Sequence, residues 1–299
     1  MTIKYIPPHL RNKSKFYDTG GYFPDLKSAT LYQNKNTHIY RKDKLNCINF
    51  LLNQIKEKNK LNILDFGCGD GSDFKKLKLL PKNYIGIDVS PHMIDLSEKN
   101  LINIKNKSLL VGGIDKLKKI KSNSIDLFLA FNVIGYLTDK EESIFFKEVH
   151  RILKKNKFFI TTNGNELFDL FALNYKTKEF FKKYFNQKED HMNLLLKKNK
   201  KDNYVNGKRY NPLALEEKLK KDYGLTMLDI SFASLHKYSP EIGKILHKGK
   251  KSKNEYYTDF RHQQLLARDF SKNPNKFSVL EKWKCLFLCS IFGMLVQKK

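Results

Sequence analysis

The stretch Asn62-Ile63-Leu64-Asp65-Phe66-Gly67-Cys68-Gly69-Asp70-Gly71 constrains this chain more than any other. An apolar run, Leu61 to Phe66, stops at three glycines spaced two apart, and Ser72 to Leu80 then follows with a helical pattern. A strand that meets a helix through so tight a turn brings backbone close to whatever occupies the turn. Only a residue without Cβ permits that approach. The spacing is Gly-x-Gly-x-Gly, not the Gly-x-Gly-x-x-Gly of dinucleotide folds, because Ser72 stands at the third dinucleotide position. Seventeen residues beyond Gly71 a second apolar run, Tyr84-Ile85-Gly86-Ile87, ends in Asp88. An acid at the tip of the second strand of a βαβ unit is placed to accept both hydroxyls of a ribose.

The rest of the chain extends this unit. Residues 1–41 are rich in tyrosine and polar residues without clear periodicity and read as an arm over the cleft. Asp43 to Asn59 carries a helical apolar stripe, Leu45, Ile48, Leu51, Leu52 and Ile55. Pro91 starts the helix after Asp88, as proline suits a first turn. Ser108 to Val111 is a third strand with Gly112-Gly113-Ile114-Asp115 as its exit loop. Ser124 to Asn132 is a nearly continuous apolar run, the mark of a strand buried on both faces. An amphipathic helix, Asp139 to Leu153, and a fifth strand, Phe158 to Thr162, follow. Strand and helix alternating in this order predict an α/β fold, a doubly wound, mostly parallel sheet.

The expected division is an arm (1–41), a core (42–163), a helical cap rich in Phe and Lys (164–212), and a C-terminal part of the core (213–299) interrupted by an insertion at 235–280. In that last part Leu213 to Tyr223 reads as a helix and Leu225 to Ala233 as a strand. The run from Cys285 to Val296 reads as a helix end feeding a final antiparallel strand, Ile291 to Val296.

The glycine triplet with its preceding acid, Asp65-x-Gly67-x-Gly69-x-Gly71, and Asp88 as the second motif together resemble the cofactor-binding half of class I S-adenosylmethionine-dependent methyltransferases. The similarity covers residues 45–162 and extends loosely to the type 11/25 group. It implies a Rossmann-like seven-stranded sheet with an antiparallel final strand, S-adenosyl-L-methionine as cofactor, S-adenosyl-L-homocysteine as product, and no metal. The resemblance places Gly67, Cys68, Gly69 and Gly71 as backbone approach to the cofactor, and Asp88 with Val89 at the ribose. Asp65 orients the glycine loop or reaches the methionine amino group, with a helix cap as its structural alternative. Met93 covers an adenine face or fills the core. Ile114 and Asp115 stand where the family clamps the adenine ring and its exocyclic amine, although the usual acid is displaced by one, since Gly113 occupies its place. Asn132 and Val133 fall beside the sulfonium.

Methyl transfer from a sulfonium is an in-line displacement, and alignment alone lowers such barriers by roughly 7–11 kcal/mol. A hydroxyl acceptor also wants a base within hydrogen-bond reach. The candidates are His38 on the arm, His236 after the sixth strand, and Tyr136 after the fourth. Tyr32, Tyr40, Arg41 and Asn163 are the candidates for contacting an acceptor.

Composition narrows the class of acceptor less than the charge suggests. Formal net charge is +26, which invites an RNA or anionic-membrane reading. Yet arginine occurs only at 11, 41, 151, 209, 261 and 268, and sequence-specific nucleic-acid sites favour the planar guanidinium. The lysine run at 248–253 reads as a surface loop. Hydrophobic content of 40% supports a real core, and no apolar run is long enough to span a membrane. Residues 1–30 hold no apolar signal core, and cysteines 47, 68, 285 and 289 show neither disulfide nor zinc spacing. The expected setting is therefore the cytoplasm, with reduced thiols.

Three stretches resemble bacterial methyltransferases acting on sugars and surface glycans: Thr162 to Phe171 running on to Thr177, Asn211-Pro212-Leu213 with the helix leading to Tyr223-Gly224-Leu225, and Trp283 to Ser290. They tilt the reading to O-methylation of a saccharide or another small hydroxylated acceptor, as in polysaccharide biosynthesis. An RNA methyltransferase of the messenger-cap type is the alternative, because Asp70 to Lys78 resembles the helix after the glycine loop in cap enzymes. A non-catalytic cofactor-binding partner subunit is the third reading.

Overall fold

A computed structural model describes residues 35–170, 208–235 and 285–299. Helix α1 (Lys35–Asn53) leads into β1 (Asn62–Phe66), α2 (Ser72–Leu77), β2 (Asn83–Asp88), α3 (Pro91–Asn100), β3 (Lys107–Val111), the short α4 (Ile114–Leu117) and β4 (Ile125–Phe131). A 3₁₀ turn (Ile134–Tyr136), α5 (Asp139–Ile152), β5 (Leu153–Gly164) and a second 3₁₀ turn (Glu166–Leu170) follow; α6 (Pro212–Tyr223), β6 (Leu225–Leu235) and β7 (Cys289–Lys298) complete the described chain.

The strands form one seven-stranded sheet in the order β3-β2-β1-β4-β5-β7-β6. β3, β2, β1, β4 and β5 pair in parallel, and β7 runs antiparallel between β5 and β6. The doubly wound sheet with an antiparallel last strand is thus the architecture the sequence leads one to expect. Two consecutive parallel units, β1-α2-β2 and β2-α3-β3, put the carboxyl ends of β1 to β4 along one edge.

Local chemistry sets the ends of the helices. Ser90 caps α3 by accepting from Met93 N–H, with Pro91 in the first turn. Thr138 and Glu141 form a reciprocal capping box at the start of α5. Asn211 caps α6 ahead of Pro212, and Gly224 ends it in the left-handed region. Several limits differ from the sequence reading. The first helix runs over 35–53 rather than 43–59, and α2 stops at Leu77 because Lys78 turns left-handed with φ 54°. β5 begins at Leu153, where it pairs with Ile125, and β6 continues to Leu235.

The sheet is buried on both faces. On β4, Phe128 and Ala130 face one layer while Leu127 and Leu129 face the other, which explains its unbroken apolar run. The first layer centres on Phe145 of α5, whose ring lies 5.1 Å from Phe66, 5.7 Å from Phe128, 5.4 Å from Phe146 and 6.1 Å from Phe159. The second layer joins Ile48 and Leu51 of α1 and Phe74 of α2 to Ile63, Tyr84 and Leu295 of the sheet. Phe145→Ala removes the centre of the aromatic cluster and is expected to lower unfolding free energy by about 3–5 kcal/mol. Denaturant unfolding followed by circular dichroism measures it, and a loss below about 1 kcal/mol contradicts this account of the core.

Candidate active site at the carboxyl edge of the sheet

The turn after β1 continues the β1–β2 ladder beyond the strands. Gly67 N–H and Cys68 N–H both donate to Ile87 C=O, at 2.7 and 3.1 Å. Gly69 N–H then donates to Asp88 Oδ2 at 3.0 Å, while Ser90 N–H donates to Oδ1 at 2.9 Å. Burial pushes the Asp88 carboxyl above its ordinary range, and backbone donation from Ser90, Gly69 and Val89 opposes that push. These three N–H donors use three of roughly four lone-pair sites on a carboxylate. The half-buried group keeps acceptor capacity for a ligand's hydroxyls.

The glycines differ in what surrounds them. Gly67 has φ +72°, and a Cβ there would lie 2.6 Å from Val133 Cγ2, so the turn is pressed against the exit of β4. Gly69 has φ +56°, and a Cβ there would meet no atom within 4 Å. Its backbone borders open space beside Asp88, a cradle that fits a ribose and its attached chain. A Cβ at Gly71 would meet Ser97 and Leu101 of the α3 region, fixing how closely that segment seats. Asn100 Nδ2, which the sequence reading missed, donates to Asp70 C=O at 2.9 Å and ties the turn to α3.

Asp65 lies beneath the turn. It is 3% exposed and accepts from Tyr84 Oη at 3.1 Å, with the Tyr84 ring 4.4 Å from Phe74. It does not cap α2, whose N-cap is Gly71; Asp70 Oδ1 accepts from Ser72 N–H and Ser72 Oγ instead. Cys68 is buried with its thiol pushed well up, an unreactive wall of the turn. Val89 is half-buried, and Met93 is 7% exposed on α3.

Gly112 N–H donates to Asp88 C=O at 2.8 Å and brings the β3 exit to the same edge. There Ile114 packs into the core with Leu117, while Asp115 is exposed and accepts from Gly113 N–H at 2.9 Å.

Asn132, just past β4, adopts φ 53°, a left-handed conformation that Asn tolerates better than most side chains. Its N–H donates to Thr162 C=O at 2.8 Å and its Oδ1 accepts from Thr162 Oγ1 at 3.1 Å. Tyr136, in the next turn, is largely enclosed, and burial pushes its phenol up to about 12. At neutral pH it keeps its proton. Asn163 is 2% exposed; its Nδ2 donates to Thr161 Oγ1 at 3.2 Å, and its Oδ1 has no partner among the described residues.

Beside this edge stands a network that sequence reasoning did not find. Glu142, buried on α5, accepts from Lys218 Nζ (2.6 Å), Tyr210 Oη (2.6 Å) and Lys208 Nζ (2.9 Å). Burial alone would raise its carboxyl, but the three donors hold it below the usual range. Lys208 N–H also donates to Gly135 C=O, and Tyr210 N–H to Gly164 C=O. Arg209 Nη2 donates to the carbonyls of Asn165 and Ser290. Residues 208–210 thus bind the exits of β4 and β5 and the approach to β7. One legible signal existed: Glu142 occupies the buried stripe of Phe145, Phe146, Val149 and Ile152, where an acid needs buried partners.

Tyr32 and His236 lie outside the described residues. His38, Tyr40 and Arg41 belong to the backbone of α1, and their side chains lie outside the described set.

A model of the methyltransferase domain family matches residues 64–161. The malonyl-acyl-carrier-protein O-methyltransferase of Halalkalibacterium halodurans is 29% identical over 149 residues, covering 48% of this chain and 54% of that protein. The chain therefore spans about half the length of this curated relative. Among solved structures, the complex of the Haloferax volcanii Trm112 methyltransferase activator with a methyltransferase aligns over 90% of this chain and 96% of the other. The TM-score is 0.52 at 16% identity. A SAM-dependent methyltransferase of Thermotoga maritima aligns over 91% and 95%, with a TM-score of 0.50 at 15% identity. At these identities the likeness establishes the shared fold.

Burial raises the Asp65 carboxyl to about 7, so the folded chain holds a proton that the unfolded chain has lost. This contribution to stability is complete below about pH 4 and disappears as pH rises through about 7. Asp65→Asn removes the titration. Its stability relative to the parent should climb by on the order of 1–3 kcal/mol between about pH 5 and about pH 8. Thermal melts at several pH values test it, and a difference independent of pH contradicts the assignment.

A second pair of variants separates the glycines. Gly67→Ala should depress stability more than Gly69→Ala, because only the former collides with Val133. Gly69→Ala should chiefly weaken cofactor binding. Melting and calorimetry together measure this, and equal effects on both readouts would refute it.

Proposed function

We propose that this chain, whose residues 64–161 form a methyltransferase domain of the class I, S-adenosylmethionine-dependent kind, methylates an oxygen of a small acceptor, most specifically a hydroxyl of a saccharide. The observation that carries the reading is the open cradle at Gly69 beside the Asp88 carboxylate. When bound there, S-adenosyl-L-methionine supplies an electrophilic methyl group and leaves as S-adenosyl-L-homocysteine. The choice of oxygen is supported by the curated relative, itself an O-methyltransferase, over the half of the chain it matches.

The chain's own groups divide the work. Asp88 accepts the ribose hydroxyls, and Gly67, Cys68, Gly69 and Gly71 let backbone lie against the nucleoside. Asp65 supports the turn from below by accepting from Tyr84. Val89, Met93 and Asp115 frame the adenine, with Ile114 packed behind them in the core. Asn132 and Val133, fixed by Thr162 and Gly67, border the reacting end. Tyr136 donates a hydrogen bond that orients the acceptor, with Asn163, Tyr32, Tyr40 and Arg41 as further contacts. His236 directly follows Leu235, the last residue of β6, whose carboxyl end lies at the same edge as that of β5. We assign it the acceptor proton ahead of His38. Four buried thiols and the small acceptor suit a cytoplasmic setting.

Asp88→Ala should weaken cofactor binding by about 1–3 kcal/mol, measured by calorimetry; unchanged affinity would refute the ribose assignment. Transfer of labelled methyl into fractionated lysate reads the acceptor class. Label in a small saccharide or carboxylate fraction supports the proposal, and label in RNA, with affinity falling steeply as salt rises, overturns it. On the labelled acceptor, His236→Ala should lower kcat by about 10²–10⁴ while cofactor affinity holds; an unchanged kcat removes His236 from the reaction.

A further inference from the structure

Among the described residues, the two most exposed large apolar side chains are Ile102 (72%) and Leu80 (70%). A lone exposed leucine is ordinary. These two belong to the segments that border one cavity of about 400 Å³, floored by Phe74, Leu79, Leu101 and Ile104. Lys75 and Lys105 line the same cavity, and no carboxylate is among its lining residues. Two further exposed lysines are fastened to its rim: Lys60 N–H donates to Leu80 C=O at 2.9 Å, and Asn106 Nδ2 donates to Lys82 C=O at 3.2 Å. Nearby Glu98 is bound by Lys107 at 3.1 Å.

All of this sits at the amino ends of β2 and β3. Asp88 and the β3 exit lie at the other end of the same strands. We propose that this amino-end edge is a peripheral docking surface for an anionic membrane, with Leu80 and Ile102 entering the headgroup–acyl boundary and the lysine ring meeting the lipid phosphates.

The chemistry selects this partner over nucleic acid. Protruding aliphatic side chains gain from an acyl environment, whereas single-stranded nucleic acid is held by stacked aromatics. Lysine serves as a point charge toward a diffuse anionic surface, where no planar bidentate match is required. No helix among the described residues is long and apolar enough to cross a membrane, so the contact is made at the surface. β2 rises about 3.3 Å per residue. The cofactor crevice would stand about 20 Å above the lipid and open away from it, so the acceptor arrives from the aqueous side.

Flotation of the full chain with phosphatidylcholine vesicles, with and without phosphatidylglycerol, tests the proposal. The chain should float only with the anionic vesicles. Leu80→Ser combined with Ile102→Ser should reduce partitioning at least about tenfold, and Lys82→Gln combined with Lys105→Gln about thirtyfold at low salt. Cofactor affinity measured on the same preparations should match the parent, showing that the variants are folded. Absence of flotation overturns the proposal. So does flotation that survives the aliphatic pair, since charge elsewhere on the chain would then suffice. RNA oligomers displacing the vesicles, with binding lost in the lysine pair and kept in the aliphatic pair, would instead identify a nucleic-acid surface.

Discussion

The hydrogen bond from Gly69 N–H to the Asp88 carboxylate joins the turn after one strand to the tip of the next, and the site is built outward from it. It requires β1 and β2 to be parallel and in register, so that Phe66 stands opposite Ile87 and the glycine turn emerges level with Asp88. It also requires backbone near Gly69 to be exposed on the side facing the crevice, which a side chain would fill. The same carboxylate accepts from Ser90 N–H, just ahead of α3. One half-buried acid therefore sets the strand ends, the turn and the next helix relative to each other.

A second constraint acts at the exits of β4 and β5. β5 and β7 are the strands from which the two long insertions depart or to which they return, and their ends are held by Asn165, Arg209 and Tyr210. Asn165 Nδ2 donates to Leu286 and Cys289 carbonyls, and Arg209 bridges Asn165 and Ser290 carbonyls. Glu142 completes the join by accepting from Lys208, Tyr210 and Lys218. Only Glu142 of this cluster is buried; the Lys208 and Lys218 side chains are 37% and 41% exposed, so solvent screens part of their attraction to it. The cluster thus joins the exits of β4 and β5 and the approach to β7 through residues far apart in the chain.

The two edges of the sheet carry different chemistry. At the carboxyl edge, backbone donors and carboxylates surround a space shaped by glycine. At the amino edge, exposed lysines and aliphatic side chains ring a cavity. Parallel strands enforce this separation, since all the strand exits of β1 to β4 gather at one edge and all their entries at the other.

The sequence by itself determined the fold class, the order of strands and helices, and the glycine turn with Asp88 at the neighbouring strand tip. These rest on local signals: the glycine turn, Asp88 at a strand tip, the unbroken apolar run of a strand buried on both faces, and Pro91 at a helix start. It also placed Asn132 and Val133 at the right edge. Tertiary structure alone decided what each of these touches. Asp65 holds Tyr84 beneath the turn, a pairing between neighbouring strands whose residues are nineteen apart. Ile114 turned into the core while Asp115 stayed outside, because α4 is a single short turn that buries Ile114 and Leu117 in the core cluster. Gly67 proved to be matched to Val133, and Glu142 to three donors beyond residue 207. Such pairings depend on which surfaces the sheet brings together, and sequence spacing carries no record of that distance.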